Sequence, residues 1–353
     1  MSVTDSSSED EHGHIWRTRR LRHATSLGHL VVGWLVVVAF GALAVVRAAG
    51  ADRPLWAVWA NTLGMGLYFP AWPVAILAAW FRRWPLALAA GALVVAHLVF
   101  VSPDVVAAWT DEAEAATPDQ TTLRVFSMNL RAGNDRIDEV AEEIATADPD
   151  VLMTQELTPE LLDALRSSGV LVRYDHAVVD AREGYFGSSI HSKEPLADKE
   201  VWRVAGTPMT RATVQPGGTP LSVYNVHTTA PLDATTLAQW DAEFVALDRH
   251  FEEAVDSFDG AVLAAGDFNA NYQHAAFRTL VDEDRSSDHL REAYRQAGRG
   301  LVFTWPNRRR FGIPSISRLD HVLIDTDLTV LDLREGRGAG SDHRPVIADL
   351  ALR

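Results

Sequence analysis

The stretch Gly266-Asp267-Phe268-Asn269-Ala270 follows directly on the apolar run Ala261–Ala265, and near the end of the chain comes a second cluster, Gly340-Ser341-Asp342-His343-Arg344-Pro345. A strand that ends by presenting Asp and Asn, with a remote Asp-His pair, offers the groups that hold a divalent cation and an attacking water against a phosphoester. The 353 residues include no cysteine, so disulfides and thiolate metal sites are excluded. A metal would sit on oxygen and imidazole, which favours a hard ion such as Mg2+, Mn2+ or Ca2+.

These residues need elements to position them. Leu123–Leu130 reads as a strand, and Ile137, Val140, Ile144 and Ala147 mark a helix face at spacings of three and four. Val151–Glu156 is strand-like, and Leu161 opens another helix. Later strands fall at 212–214, 221–227, 261–265, 321–324 and 346–348, with a long helix over 234–255. Many strands with few helices predict two sheets packed face to face with helices outside, and no internal repeats occur. Asn129, Glu156, His227 and Asp267 each fall at the C-terminal end of a strand, where loops build active sites. Asp320 instead begins a strand and Asp342-His343 precedes the last one. Those two strands must run the other way to reach the same edge.

Six motifs in this order, Met128-Asn129-Leu130, Gln155-Glu156, Asn225-Val226-His227-Thr228, Gly266–Ala270, Arg318-Leu319-Asp320-His321-Val322-Leu323 and Ser341–Val346, resemble the endonuclease/exonuclease/phosphatase superfamily. The resemblance spans about Leu123 to Leu350. It implies an α/β (α+β) four-layer β-sandwich of the deoxyribonuclease I-like kind and a metal-dependent phosphoric ester hydrolase using Mg2+ or Mn2+. By the same resemblance Glu156 is the main metal ligand, with Asn129 beside it and Asp342 near the ion. Asp267 orients or deprotonates the water, and Asn269 donates to a phosphate oxygen. His343 is an acid/base whose ring Asp320 holds, and His227 faces the leaving group or phosphate; which imidazole is acid and which is base stays open. Gly187–Pro195 resembles an architectural mid-chain strand. His176, His191, His250, His274, His289 and His321 read as structural or surface residues. Arg308, Arg309 and Arg310, after Thr304-Trp305-Pro306-Asn307, read equally as a clasp for a second phosphate or as a solvated run.

The first third of the chain is a different object. Leu27–Val46, Leu55–Phe81 and Pro85 to about Val105 are apolar runs of the roughly 20 residues that a helix needs to cross a bilayer. Three transmembrane helices are therefore expected. Trp56, Trp59, Trp72, Trp80 and Trp84 cluster toward the ends of the second run, where indoles prefer the interface, and Pro70 and Pro73 should kink it. A signal peptide is disfavoured by the long core and the two further runs. Arg17, Arg19, Arg20 and Arg22 before the first run, and Arg82-Arg83 between the second and third, place the N-terminus in the cytoplasm and the globular part outside. Arg47 and Arg53 blur that asymmetry. His97 reads as a neutral histidine facing neighbouring helices. The organisation expected is a tail over 1–24, disordered where Ser, Asp and Glu dominate, a membrane region over 25–110, a linker over 111–121 and a catalytic domain over 122–353.

Net charge is −15, and from Gln120 onward 24 basic and 37 acidic residues leave −13. Duplex nucleic acid favours basic surfaces, and no basic stripe with interleaved aromatics is present. Three spans, an outward catalytic domain and the Thr304-Trp305-Pro306 segment resemble bacterial membrane proteins of the teicoplanin-resistance type, and with the acidic charge this puts first a phosphate ester linked to a membrane lipid, such as a polyprenyl diphosphate. Extracellular nucleic acid comes second and a non-catalytic binding module last.

Overall fold

The computed structural model describes residues 7–51, 54–110, 113, 115, 117, 119–281, 290–307, 312 and 314–353, with the backbone alone for 7–27 and Thr110. Arg308, Arg309, Arg310 and His289 lie outside the described residues, as do Arg53 and much of the acidic linker.

The chain opens with helix α1, Ser7–Ala48. Its backbone begins within the segment expected as a tail and continues through the first apolar run. Next come α2, Leu55–Thr62, and α3, Ala71–Trp80. Helix α4, Trp84–Thr110, contains Pro103. The three expected spans need correcting. Two helical stretches, Gly28–Ala48 and Trp84–Trp109, are long and apolar enough to cross a membrane, whereas the second run is broken and bent by 99°. The break falls at Gly64–Gly66 rather than at a proline, with Gly64 in a left-handed conformation that side chains resist. Pro70 and Pro73 sit at the start of α3, where the missing N–H costs little. His97 is buried, accepts from the Trp72 indole at 3.0 Å, and lies edge-on to Phe69, the neutral packing role expected of it.

The remaining chain forms β1 (Thr122–Asn129), α5 (Ile137–Ala147), β2 (Val151–Gln155), α6 (Pro159–Ser167), β3 (His176–Asp180), β4 (Ser188–Ser192), β5 (Leu196–Val204), β6 (Thr207–Val214), β7 (Leu221–His227), α7 (Ala234–Ser257), β8 (Ala261–Asp267), α8 (Ala275–Leu280), β9 (Arg291–Glu292), α9 (Ala293–Gln296), β10 (Asp320–Ile324), β11 (Leu328–Glu335) and β12 (Val346–Leu352). Local chemistry sets several boundaries. Thr158 caps α6 by accepting from Leu161 N, with Pro159 at the first helical position. Asp233 and Thr236 form a capping box at α7.

One sheet has the order β11-β12-β1-β2-β4-β3 and the other β5-β6-β7-β8-β10-β9. Their facing sides enclose one apolar core, which includes Leu123, Val125, Met153, Val223, Leu263 and Val322. The outer side of the first sheet packs on α5 and α6 through Phe126, Val140 and Leu165, and that of the second packs on α7 and α8 through Val262, Phe244 and Phe277. This is the two-sheet α/β sandwich expected. Strands β3, β5, β9 and β11 were not expected: β5 is mostly exposed and β9 is two residues long, so neither carries a strong apolar period.

His191 illustrates the packing electrostatics. It is buried in β4 with its ring 6.1 Å from Tyr174, and burial holds its imidazole down to about 4. The unfolded chain takes up the proton near pH 6.5 and the folded chain does not, so stability falls as pH drops from 6.5 through 4, by about 3 kcal/mol at most. His191→Leu should remove that acid sensitivity, read as a thermal midpoint that declines less between pH 7 and pH 4 than in the wild type.

Candidate active site

The period of two in a strand carries polar residues onto the end of the core. Leu123 and Val125 face inward, and the same row continues through Ser127 to Asn129. Val151 and Met153 lead to Gln155, Leu221 and Val223 to Asn225 and His227, and Leu263 and Ala265 to Asp267. Strand β10 runs antiparallel to β8 with Asp320 opposite Asp267, so its inward row ends at Asp320 on that same edge. His227 lies opposite Asp267 in the parallel β7–β8 pair. Strand β12 is antiparallel to β1, which brings the residues before Val346 to the end of β1.

A middle layer separates the dry core from this edge. Gln155 Nε2 donates to Ser127 Oγ at 3.1 Å and to Asn225 Oδ1 at 2.6 Å. Asn225 Nδ2 donates to the carbonyls of Thr154 and Ser189, each at 2.9 Å, which ties the two sheets together.

At the edge, Asn129 Nδ2 donates to Glu156 Oε1 at 3.0 Å and to Asp267 Oδ2 at 2.9 Å. One amide thus bridges two carboxylates. Ala132 N donates to Glu156 Oε2 at 2.8 Å. Asp267 Oδ1 accepts from Asn269 N at 2.9 Å, while Asn269 Nδ2 donates to Thr228 O at 2.8 Å. Asp267 Oδ2 also lies 3.5 Å from His343 Nε2 and 3.8 Å from His227 Nε2. On its other side His343 Nδ1 meets Asp320 Oδ2 at 2.9 Å. The backbone is left-handed at Arg131, Glu156 and Asn269, a conformation that costs energy and clusters where side chains must be aimed. Gly266 has φ 146°, and a Cβ there would collide with Val226 O, so glycine allows β7 and β8 to approach just before Asp267.

His343 sits between two carboxylates. Burial works against its charged form, yet Asp320 and Asp267 overcome it and push the imidazole up to about 10. At neutral pH it is an imidazolium, donating from Nδ1 to Asp320 and presenting Nε2–H toward Asp267. Among the described residues, Asp267, Asp320 and His343 form a group whose ligand atoms lie within 4.8 Å of one another. That group differs from the expected metal set of Asn129, Glu156 and Asp342. The 2.9 Å bond to Asp320 already uses one nitrogen, so we read the group as a hydrogen-bonded relay. Glu156 is half-buried, with two oxygens that each accept a bond at the open edge. Asp342 is half-buried and acts on His343 as a nearby negative charge. The Glu156 carboxylate at this edge suits a hard divalent ion, while Asn129 beside it turns its Nδ2 inward and its Oδ1 accepts from Arg131 N at 2.9 Å.

The sequence did not show which groups hold these loops in place. Thr304 Oγ1 accepts from Leu319 N and Asp320 N, at 3.1 and 3.2 Å, and so fixes the start of β10. Ser341 Oγ donates to Asn129 O at 2.7 Å and accepts from His343 N at 3.0 Å, joining the last loop to β1. Asn307 Nδ2 donates to the carbonyls of Arg337 and Gly338, each at 2.9 Å, and Glu243 Oε2 accepts from Thr229 N at 2.7 Å. The Thr304–Asn307 segment entered the sequence analysis only through its resemblance and the arginine run after it; Glu243, within the long helix, carried no signal. His321 is structural as expected, bonded to Glu292 and to Ala270 O. His176, His191, His250 and His274 lie outside the cluster.

Two facing sheets with a carboxylate–imidazole cluster at one rim define a hydrolase of the deoxyribonuclease I-like class. Residues 124–343 match the model of the endonuclease/exonuclease/phosphatase family. The chain belongs to that family and is a phosphoester hydrolase. No curated protein matches the sequence. Among solved structures it resembles D. rerio TDP2 complexed with single strand DNA product, at 18% identity over 65% of this chain and 99% of the other, TM-score 0.54. It also resembles a Bacteroides thetaiotaomicron mannosyl-6-phosphatase, at 19% identity over 65% of this chain and 99% of that one, TM-score 0.52. A Bacteroides vulgatus family protein matches at 19% identity over 66% of this chain and 100% of its own, TM-score 0.52. At these identities the likeness speaks for the fold alone.

Proposed function

We propose that the chain is a membrane-anchored, divalent-metal-dependent phosphohydrolase whose substrate is a phosphate or diphosphate carried by a membrane lipid, at the outer face. The observation that carries the chemistry is the convergence of Asn129, Glu156, His227, Asp267, Asp320 and His343 on one sheet edge. In this reading Glu156 and Asn129, with Asp342 near, hold an Mg2+ or Mn2+ ion, which supplies Lewis-acid stabilisation of the phosphoryl oxygens. Asp267 accepts the proton of the attacking water and aligns it. The His343 imidazolium, held by Asp320, donates to a phosphoryl or leaving oxygen. His227 faces the same space, and the second N–H of Asn269 is available to a phosphate oxygen.

Two helices of membrane-spanning length and the acidic globular part support a lipid substrate over nucleic acid. The structural neighbour solved with single strand DNA product is the specific reason to keep nucleic acid as the second reading. Purified full-length protein with Mg2+ should release phosphate from undecaprenyl diphosphate and leave plasmid DNA intact. Rapid nicking of the plasmid without lipid turnover would reverse that order. An alkaline-phosphatase fusion at Arg353 should be active in cells; an inactive fusion would overturn the outward placement.

A further inference from the structure

The short helix α2 behaves as part of the catalytic unit. Residues Gly50–Gly66 and Phe100–Arg353 form one compact unit, although 50–66 is written in the apolar third of the chain. Its polar contacts go to two loops. The Trp59 indole Nε1 donates to Pro231 O at 2.6 Å, in the loop that leaves β7 after His227. His274 Nε2 bonds Val58 O at 3.0 Å, and its Nδ1 accepts from Asn271 N at 3.0 Å. Asn271 Nδ2 donates to Asn61 O at 3.1 Å and to Ser317 Oγ at 2.8 Å. Asn271 and His274 belong to the loop that leaves β8 after Asp267 and Asn269. The end of α4 is anchored similarly: Asp104, 4% exposed, pairs with Arg295 Nε at 2.9 Å. A carboxylate buried at the end of an apolar span is costly unless its partner is fixed, and Arg295 comes from α9.

A helix of eight residues is too short to be stable alone, so its packing defines it. Val58 O already accepts from Thr62 Oγ1 within the helix at 3.0 Å, and side chains of the β8–α8 loop add a second bond there and one to Asn61 O. From this geometry we infer that α2 is a positioning element for the active site, bracing the loops behind His227 and Asp267 so that both side chains hold their distances. Trp59 and Asn271 act through the loops they hold and touch no reacting atom. The inference rests on the hydrolase reading above for its activity readout. It makes the broken apolar run a buttress of the enzyme and binds catalysis to the membrane-proximal part of the chain.

Trp59→Phe removes one donor while keeping an aromatic ring, and Asn271→Ala cuts the link between the β8–α8 loop and α2. In full-length protein in detergent, with a soluble phosphomonoester and Mg2+, kcat should fall about threefold in Trp59→Phe and about tenfold in Asn271→Ala. KM should stay within twofold, and Trp56→Phe, on the same helix with its side chain more than half exposed, should match the wild type. The absence of native cysteine permits a second measurement. Trp59→Cys with Leu232→Cys in native membranes should be joined by a short bismaleimide, and neither single-cysteine variant should give that product. An active wild type with kcat within twofold in both variants, or an active wild type whose 59–232 pair fails to cross-link, overturns the inference. A 59–232 cross-link in the double-cysteine variant, beside a wild type without turnover on any phosphoester, condemns the hydrolase reading instead, and with it the positioning role.

Discussion

Asp267→Asn is expected to lower kcat on any phosphoester substrate by about 10³ to 10⁴-fold, with KM changed by no more than a few-fold. The substitution is nearly isosteric, and an amide oxygen can still accept from Asn269 N, so the loop keeps its shape. What disappears is the negative charge at Oδ2. That atom accepts from Asn129 Nδ2 at 2.9 Å and lies 3.5 Å from His343 Nε2 and 3.8 Å from His227 Nε2. At 1% exposure no bulk water screens it, so its field on the His343 imidazole is strong. In the proposed mechanism it also accepts the proton of the attacking water, and an amide cannot. The neutral side chain leaves Glu156 and its bridge to Asn129 in place, which predicts retained metal affinity by calorimetry together with lost turnover. A variant with kcat within tenfold of the wild type would sink the proposed role.

His343→Gln is expected to cost about 10³-fold in kcat and, separately, about 3 kcal/mol or more of stability. The stability loss has a distinct cause. Asp320 is 2% exposed and its carboxylate depends on the imidazolium at 2.9 Å; without that partner a buried charge keeps only its hydrogen bond with Thr304. The double variant His343→Gln with Asp320→Asn removes the stranded charge. It should recover most of the thermal midpoint while remaining inactive, which separates folding from chemistry. The wild type also predicts a pH limb. Because the two carboxylates push His343 up to about 10 against burial, the protonated ring is present through neutral pH and is lost as pH rises through 10. Turnover should fall on that alkaline side, and the residual activity of His343→Gln should lack the limb. Recovery of activity in the double variant would show that His343 serves only to pair with Asp320.

The candidate site was legible because its residues carry two independent signals, a chemistry-bearing type and a place at the end of an apolar alternating run. Asn129, His227 and Asp267 stand on inward rows whose earlier members are Leu, Val and Ala. Glu156 follows Gln155 on the same edge, in the left-handed conformation. The need for antiparallel strands to deliver Asp320 and His343 also followed from which end of the strand each occupies, and β10 and β12 meet it. The supporting side chains were not legible. Ser341 stood in a motif and Thr304 and Asn307 ahead of the arginine run, but their roles and that of Glu243 run through backbone groups far away in the chain, which leave no period or spacing to read.

The apolar third shows the same division from the other side. Length and hydropathy were enough to mark the runs at 27–46 and 85–105, since crossing a bilayer is a property of a helix by itself. They could not tell that the run from Leu55 breaks at Gly64, because the alternative to a straight helix there is docking onto loops that sequence order places more than a hundred residues later. Residue type and alternation along single elements therefore determined the sandwich, the polar edge and the two long apolar helices. Only the tertiary structure decided which carboxylate meets which imidazole, that His343 is held charged between two anions, and that α2 belongs with the enzyme. Those outcomes depend on distances between remote segments, and local preference carries no information about them.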